Sequence, residues 1–341
     1  MSRGDLLKKI FRSYKSRSDE AFLEAANEII QEERQKHHLI LANELSKILE
    51  NGGSPKHTEI RGAFESLPKD VDRNAPLVDI RHPDRFLADV VLSAEQEQII
   101  NSILFQFRAW DILEANGLRP SHRLLFCGPP GCGKTITAEA IAGELGIPLL
   151  YVRFDAVVSS LLGETANNLR KVFDFASRGT WVLLFDEFDA IGRSRDDATE
   201  HGELKRVVNS FLQMLDRFNG NTIVIAATNF EQSLDPALWR RFDEVIRFDK
   251  PELSQIQMLL QSKLRGKFVS KSFFASAEKR LLGMSYADIE RACLDLLRKS
   301  VLESTGKLTA ADLDWAIKRQ EIRKQAVARF SSTENPQVDK D

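Results

Sequence analysis

Short apolar runs alternate with longer amphipathic stretches through the middle of the chain, and that alternation predicts the architecture. The runs are Leu124–Cys127, Leu149–Val152, Trp181–Phe185, Ile223–Ala227 and Val245–Phe248, free of charge apart from an arginine or two near their ends. Strands buried on both faces of a parallel sheet need this pattern, because neither face is left to polar side chains. Stretches such as Thr135–Leu145 and Leu204–Phe218 carry their apolar residues at helical spacing between the runs. Five strands with intervening helices predict a doubly wound α/β domain with a five-stranded parallel sheet.

The flanks read differently. Leu6, Leu7, Ile10, Phe11 and Tyr14 share one helical face, as do Phe22, Ala26, Ile29 and Ile30, and then Leu41, Leu45, Ile48 and Leu49. These narrow stripes predict a small helical domain over 1–51, stopped by Asn51-Gly-Gly-Ser-Pro55. Pro68, Pro76 and Pro83 give 52–84 the character of an extended linker. The α/β core then covers 85–249. Beyond Pro251 the strand pattern ends, and Ile256–Leu264, Ala287–Leu302 and Ala311–Ile322 predict a helical domain over 250–325, with Thr309 capping the last helix. The polar 326–341 reads as a flexible tail.

Composition narrows the setting. Hydrophobic residues make up 43% and charged residues 29% of 341, enough to bury a core and remain soluble. A formal net charge of −2 supplies no global pull toward nucleic acid or an acidic membrane. Three cysteines without C-x-x-C spacing argue against a disulfide framework and a structural zinc site. The start is too charged for a secretory signal, and no window approaches the roughly 18 apolar residues of a membrane span. A reducing, cytoplasmic location is expected.

The chemistry begins at Gly128-Pro129-Pro130-Gly131-Cys132-Gly133-Lys134-Thr135. This stretch fits G-x-x-x-x-G-K-[ST], follows a predicted strand and opens a predicted helix. Glycines let backbone N–H groups curl around a β-phosphate, and the helix N-terminus adds favourable partial charge. Lys134 is placed to reach the β- and γ-phosphates of ATP, and the Thr135 hydroxyl to bind Mg²⁺. Cys132 reads as a small spacer rather than a nucleophile. A second cluster follows the strand Trp181–Phe185, which runs straight into Asp186-Glu187-Phe188-Asp189. Two carboxylates thus arrive at the C-terminal edge of a buried strand, where open α/β sheets bind ligands. Asp186 suits the Mg²⁺ shell, and Glu187 suits orienting or deprotonating the attacking water.

The order of these motifs resembles the AAA+ ATPases, in the branch that includes katanin, spastin and the membrane-bound AAA proteases. The resemblance covers residues 77–302 and extends to Ile225-Ala-Ala-Thr-Asn229, Leu234-Asp-Pro-Ala-Leu-Trp-Arg240-Arg241-Phe242-Asp243 and Gly283-Met-Ser-Tyr-Ala-Asp288-Ile289. It implies that Asn229 helps position the hydrolytic water. It also implies that Arg240 and Arg241 are arginine fingers, reaching the ATP site of a neighbouring subunit in a homo-oligomer, most simply a hexameric ring. The segment after Pro251 resembles the lid over the nucleotide, where Gly283, Ser285, Ala287 and Asp288 match and Tyr286 replaces a usually small residue. Adenine contacts are expected near Asp89 and Val90. Ser159-Ser-Leu161-Leu162-Gly-Glu164 resembles the loop lining the ring's pore, with Leu161 in place of the usual aromatic.

These features imply an ATP-driven protein remodeller, with a client engaged through Leu161, Leu162 and the N-terminal helical domain. Relatives with such a front end are often encoded beside a subtilisin-like serine protease, which the resemblance suggests as a partner. The chain has neither Gly-x-Ser-x-Gly nor His-Glu-x-x-His, so it is not itself expected to be the protease. A nucleic-acid motor would want a clustered basic surface, and an assembly switch with little turnover would not need Glu187. A GTPase is not expected, because no Asn-Lys-x-Asp occurs.

Overall fold

A computed structural model gives the architecture. It describes Glu28 and residues 66–70, 74–157, 162–188, 198–229, 239–264, 271–303 and 308–333. The chain divides into Met1–Arg61 and Gly62–Asp341, and every described residue but Glu28 belongs to the second unit. Apart from Glu28, the helical domain expected over 1–51 lies outside the described residues, as do Leu161 and Asp189.

Six strands form one sheet: β1 (Val78–Arg81), β2 (Arg123–Cys127), β3 (Leu149–Val152), β4 (Val182–Phe185), β5 (Ile223–Thr228) and β6 (Glu244–Arg247), in the order β1-β3-β4-β5-β2-β6. All neighbouring pairs are parallel except β1 with β3, where Val78 lies opposite Val152. This corrects the expected count of five strands, and the expected linker over 52–84 contains the sixth. Leu77 and Val78 are buried, and the Leu77 carbonyl accepts from the Arg153 amide, so this short strand is fastened to the sheet edge. Its few residues among prolines hid it from the pattern.

Alternate strand residues feed two separate cores, as the double burial predicts. Leu125, Leu183, Phe185, Val224 and Ala226 face one side. There they meet α5 (Leu162–Ala176) and α6 (Ala198–Arg217) through an aromatic stack: Phe173 lies 5.5 Å from Phe185, and Phe211 lies 5.0 Å from Phe185. Leu124, Phe126, Leu184, Ile225 and Ala227 face the other side. They pack on α1 (Ala94–Arg108) and α3 (Lys134–Leu145) through Ile103 and Ile141. The short helices α2 (Trp110–Ala115) and α4 (Phe154–Val157) connect these elements.

At the start of β2, Asp243 closes the sheet. Its Oδ2 accepts from the amides of His122 at 3.0 Å and Arg123 at 2.9 Å, while its own amide donates to the Arg123 carbonyl at 2.8 Å. The beginnings of β2 and β6 are thereby held in register. His122 stays buried beside it with Nδ1 2.9 Å from the Pro120 carbonyl, and burial lowers its pKa below 6.5 despite that bond and the Asp243 charge.

The lid holds α7 (Leu253–Lys263), α8 (Lys271–Leu281), α9 (Tyr286–Leu302) and α10 (Ala310–Thr333) around a third core containing Ile256, Leu260, Leu281, Ile289, Leu296 and Leu313. Sequence periodicity anticipated α7, α9 and α10 but not α8. The last helix also runs into the stretch read as a tail. Thr309 caps it as expected: its amide donates to Asp312 Oδ2 at 2.9 Å and its hydroxyl accepts from the Asp312 amide at 3.3 Å. Lys299 Nζ, 2.5 Å from Asp312 Oδ1, and Thr309 together pull the Asp312 carboxyl down to about 2.

Candidate functional site

The phosphate loop connects β2 to α3, and two of its glycines are demanded by space. A Cβ on Gly128 would lie 2.1 Å from the Phe248 carbonyl oxygen, and Gly128 has a φ of 139°. A Cβ on Gly131, at φ 74°, would lie 3.0 Å from both Ala287 Cβ and Ser285 Oγ. The loop is therefore squeezed between the sheet and the start of α9, and the Ala287 amide donates to the Gly131 carbonyl at 3.0 Å. First-turn amides of α3 lack intrahelical acceptors, so the helix presents donors and positive partial charge at the loop.

Lys134 is buried at 6% exposure, and its ammonium is compensated by neutral acceptors. Nζ donates to the carbonyls of Gly128 at 2.6 Å and Pro129 at 3.0 Å, and to Asn229 Oδ1 at 2.8 Å. Thr135 Oγ1 donates to Asp186 Oδ2 at 2.7 Å, so the hydroxyl and the carboxylate meet at the ends of adjoining elements. Asp186 Oδ1 accepts from the Glu187 amide at 2.9 Å, which occupies the other oxygen. Glu187 itself sits at φ 52°, a left-handed conformation costing roughly 1 kcal/mol for a residue with a Cβ. The turn is held because Phe185 and Phe188 on either side are buried against Phe211. It leaves the Glu187 side chain exposed at the site, without an ion pair among the described residues.

A cavity of about 250 Å³ gathers Gly131, Lys134, Thr135, Asp186, Glu187 and Asn229 along its wall. Sequence motifs separated by about a hundred residues thus converge because β2, β4 and β5 are neighbours ending at the same sheet edge. A second cavity of about 240 Å³ adjoins it, lined by Asp89, Val90, Cys132, Leu259 and Tyr286 among others. The expected contacts at Asp89 and Val90 therefore stand beside the phosphate loop. Burial pushes the Cys132 thiol up, so the group stays protonated and unactivated, in keeping with a spacer.

The two arginines are not brought to this site. They lie just before β6, and β6 is parallel to β2 with Leu124 opposite Glu244. Arg240 and Arg241 therefore stand at the edge of the sheet where β2 begins, while the phosphate loop stands where β2 ends. Five residues of strand separate the two, about 16 Å. Arg241 forms an ion pair with Asp216, whereas Arg240 is exposed and makes none among the described residues.

A family model described as "ATPase family associated with various cellular activities (AAA)" matches residues 124–250. The chain is also 42% identical over 333 residues to the uncharacterised AAA family ATPase y4kL of Sinorhizobium fredii, covering 97% of this chain and 99% of that one. The chain belongs to the AAA family of ATPases. A further relative is the ATP-dependent zinc metalloprotease FtsH of Mycoplasmopsis synoviae, 32% identical over 244 residues, or 69% of this chain but 37% of that protein. FtsH of Bacillus subtilis is 35% identical over 211 residues, 60% of this chain and 33% of the relative. This AAA ATPase thus spans only 37% and 33% of the length of these two FtsH proteins. It binds and hydrolyses ATP.

Sequence reasoning named Tyr286 only as a departure from a usually small residue and did not single out Glu290, Lys263 or Asp216. Tyr286 packs against both the sheet core and the lid core, and burial pushes its phenol well above the ordinary tyrosine range. Glu290 follows one turn later and bonds Lys263 Nζ at 2.5 Å. Asp216 anchors Arg241. The spacing of Tyr286 and Glu290 along one helical face was the available signal. Among the described residues no helix is long and apolar enough to cross a membrane.

Proposed function

We propose that the chain is a subunit of a homo-oligomeric, hexameric ring motor that uses ATP hydrolysis to remodel a protein client. The observation that carries this reading is the placement of Arg240 and Arg241 across the sheet from the chain's own phosphate loop. An arginine side chain spans about 7 Å, short of the roughly 16 Å of β2, so a finger here serves a neighbouring subunit's site. The likeness to FtsH, named as an ATP-dependent zinc metalloprotease, supports a protein rather than a nucleic acid as client. On the family resemblance, a subtilisin-like serine protease is the proposed partner.

Within one site the roles divide by chemistry. Lys134 exchanges its neutral acceptors for β- and γ-phosphate oxygens, which carry far more negative charge. Thr135 and Asp186 fit a hard divalent cation: both are oxygen donors, already adjacent, and no cluster of three or more His, Cys, Asp or Glu occurs among the described residues. Two protein oxygens completed by phosphates and water are what Mg²⁺ prefers, and bound there it would neutralise charge on the phosphates. Glu187 accepts the proton as water attacks the γ-phosphorus and the bond to the ADP oxygen breaks. Asn229 orients that water. On the family resemblance, the client is engaged through Leu161 and Leu162.

The test is a pull-down with Glu187→Gln in ATP, a variant that keeps phosphate contacts but cannot take the proton. The expected result is a stable ATP-bound oligomer holding one or more specific proteins that ADP releases. An ATP-bound variant that stays monomeric and captures nothing overturns the ring-motor reading.

A further inference from the structure

The phosphate cavity and the adjoining cavity share one stretch of wall, and that wall has one charged side chain. Gly133 and Ile136 contribute to it from the phosphate loop and α3, and Tyr286 and Glu290 from the lid helix α9. In a nucleoside triphosphate whose phosphates lie against Lys134 and whose base lies against Val90 and Leu259, the sugar must cross this shared stretch. We propose that Glu290, held by Lys263, is the residue that reads the ribose hydroxyls and makes this site prefer ribonucleotides over deoxynucleotides. The inference rests on the nucleotide-binding reading of the site.

The argument is one of charge and valence. A carboxylate beside a triphosphate is repelled unless a cation offsets it, and Lys263 does so from 2.5 Å. Lys263 lines only the cavity away from the phosphates, so it is placed to steady Glu290 rather than to bind phosphate. An ionised carboxylate accepts and never donates, and it has more acceptor positions than one ammonium fills. The vicinal hydroxyls of ribose are the donors a nucleotide offers at its middle, between an acceptor-rich triphosphate and the base. Both side chains are about one-third exposed, so discrimination is set by one hydrogen bond to a charged acceptor rather than by full desolvation. Loss of such a bond corresponds to about tenfold in affinity.

A lid latch is the competing role, since the pair also joins α7 to α9. The two roles separate in steady-state ATPase assays that compare ATP, 2′-deoxyATP and 3′-deoxyATP on the full-length chain, Glu290→Ala and Lys263→Met. For the parent, KM for at least one deoxynucleotide should exceed that for ATP by about tenfold. In Glu290→Ala the ratio should collapse to within about twofold, with Lys263→Met between the two. Reading a ratio within each protein guards against partial misfolding, and Glu290→Gln, which keeps one acceptor, should retain part of the preference. A latch would raise every KM alike and leave the ratio standing, and that result overturns the proposal while the ATPase reading survives. Failure of the parent to bind any adenine nucleotide would overturn both.

Discussion

Asn229 Oδ1 lies 2.8 Å from Lys134 Nζ, which ties the residue just past β5 to the phosphate loop that follows β2. An amide can face an ammonium only through its oxygen, so Lys134 fixes which way the Asn229 side chain turns. The residue expected to position water is thus itself positioned by the residue expected to hold phosphate.

This coupling predicts how Asn229→Ala should behave. Lys134 keeps the Gly128 and Pro129 carbonyls as acceptors, so the loop should survive and nucleotide should still bind. Water loses its orienting group, which costs about 10²-fold in kcat, while KM should move by less than tenfold. Steady-state kinetics separates the two parameters. An unchanged kcat with a raised KM would show that Asn229 serves only to hold the lysine.

Thr135 and Asp186 allow a second prediction. Their 2.7 Å bond leaves Asp186 with its other oxygen on the Glu187 amide, so the carboxylate is locked from two sides. Thr135→Val keeps the volume and removes the hydroxyl that also suits Mg²⁺. Turnover at saturating ATP should then require about tenfold more Mg²⁺, read from a magnesium titration, whereas Thr135→Ser should titrate like the parent. Identical titrations of all three proteins would remove Thr135 from the cation shell.

Much of this was legible in the sequence because it depends on local pattern. Unbroken runs such as Leu124–Cys127 announced strands buried on both sides, and Gly128–Thr135 and Asp186-Glu187 could be placed at strand ends. What escaped has no local signature. Val78–Arg81 became a strand only because β3 offers an edge, and its proline neighbours argued against it. The partition between Arg240 and Arg241 needed Asp216, which lies on another element. The Lys263–Glu290 pair joins residues 27 apart across two lid helices, a contact no window reveals.

His122 predicts a pH dependence of stability. Burial lowers its pKa below the ordinary 6.5, so the folded chain resists a proton that the unfolded chain accepts. Stability contributed by the neutral ring is therefore fully present above about 6.5 and declines as pH falls through that value toward the lower folded pKa. His122→Asn keeps a donor for the Pro120 carbonyl but cannot titrate. It should be less stable at pH 7.5, having lost ring contact with Trp110, yet show a flatter decline in urea midpoint between pH 7.5 and 5.5. Parallel declines in the two proteins would rule His122 out as their source.

The arginine pair carries the sharpest prediction, because its two members differ in their partners. Arg241 is engaged with Asp216 beside Arg123, an ion pair within the subunit at a partly exposed position. Arg241→Ala should cost less than about 1 kcal/mol of stability. Both arginines are exposed, but Arg240 makes no ion pair among the described residues and stands at the sheet edge remote from its own phosphate loop. Arg240→Ala should bind ATP like the parent and hydrolyse it about 10³-fold more slowly, because the γ-phosphoryl charge that develops in the neighbouring site goes unmet. Lys134→Ala should also be inactive, but through lost nucleotide binding, and it keeps an intact Arg240. Mixing the two inactive proteins therefore has a distinctive outcome. Where an Arg240→Ala subunit holds ATP and a Lys134→Ala subunit supplies the arginine, turnover should return, reaching a sizeable fraction of the parent rate at an equal mixture. Two cis defects would never complement, so a mixture as inactive as its parts would return Arg240 to an ordinary surface role.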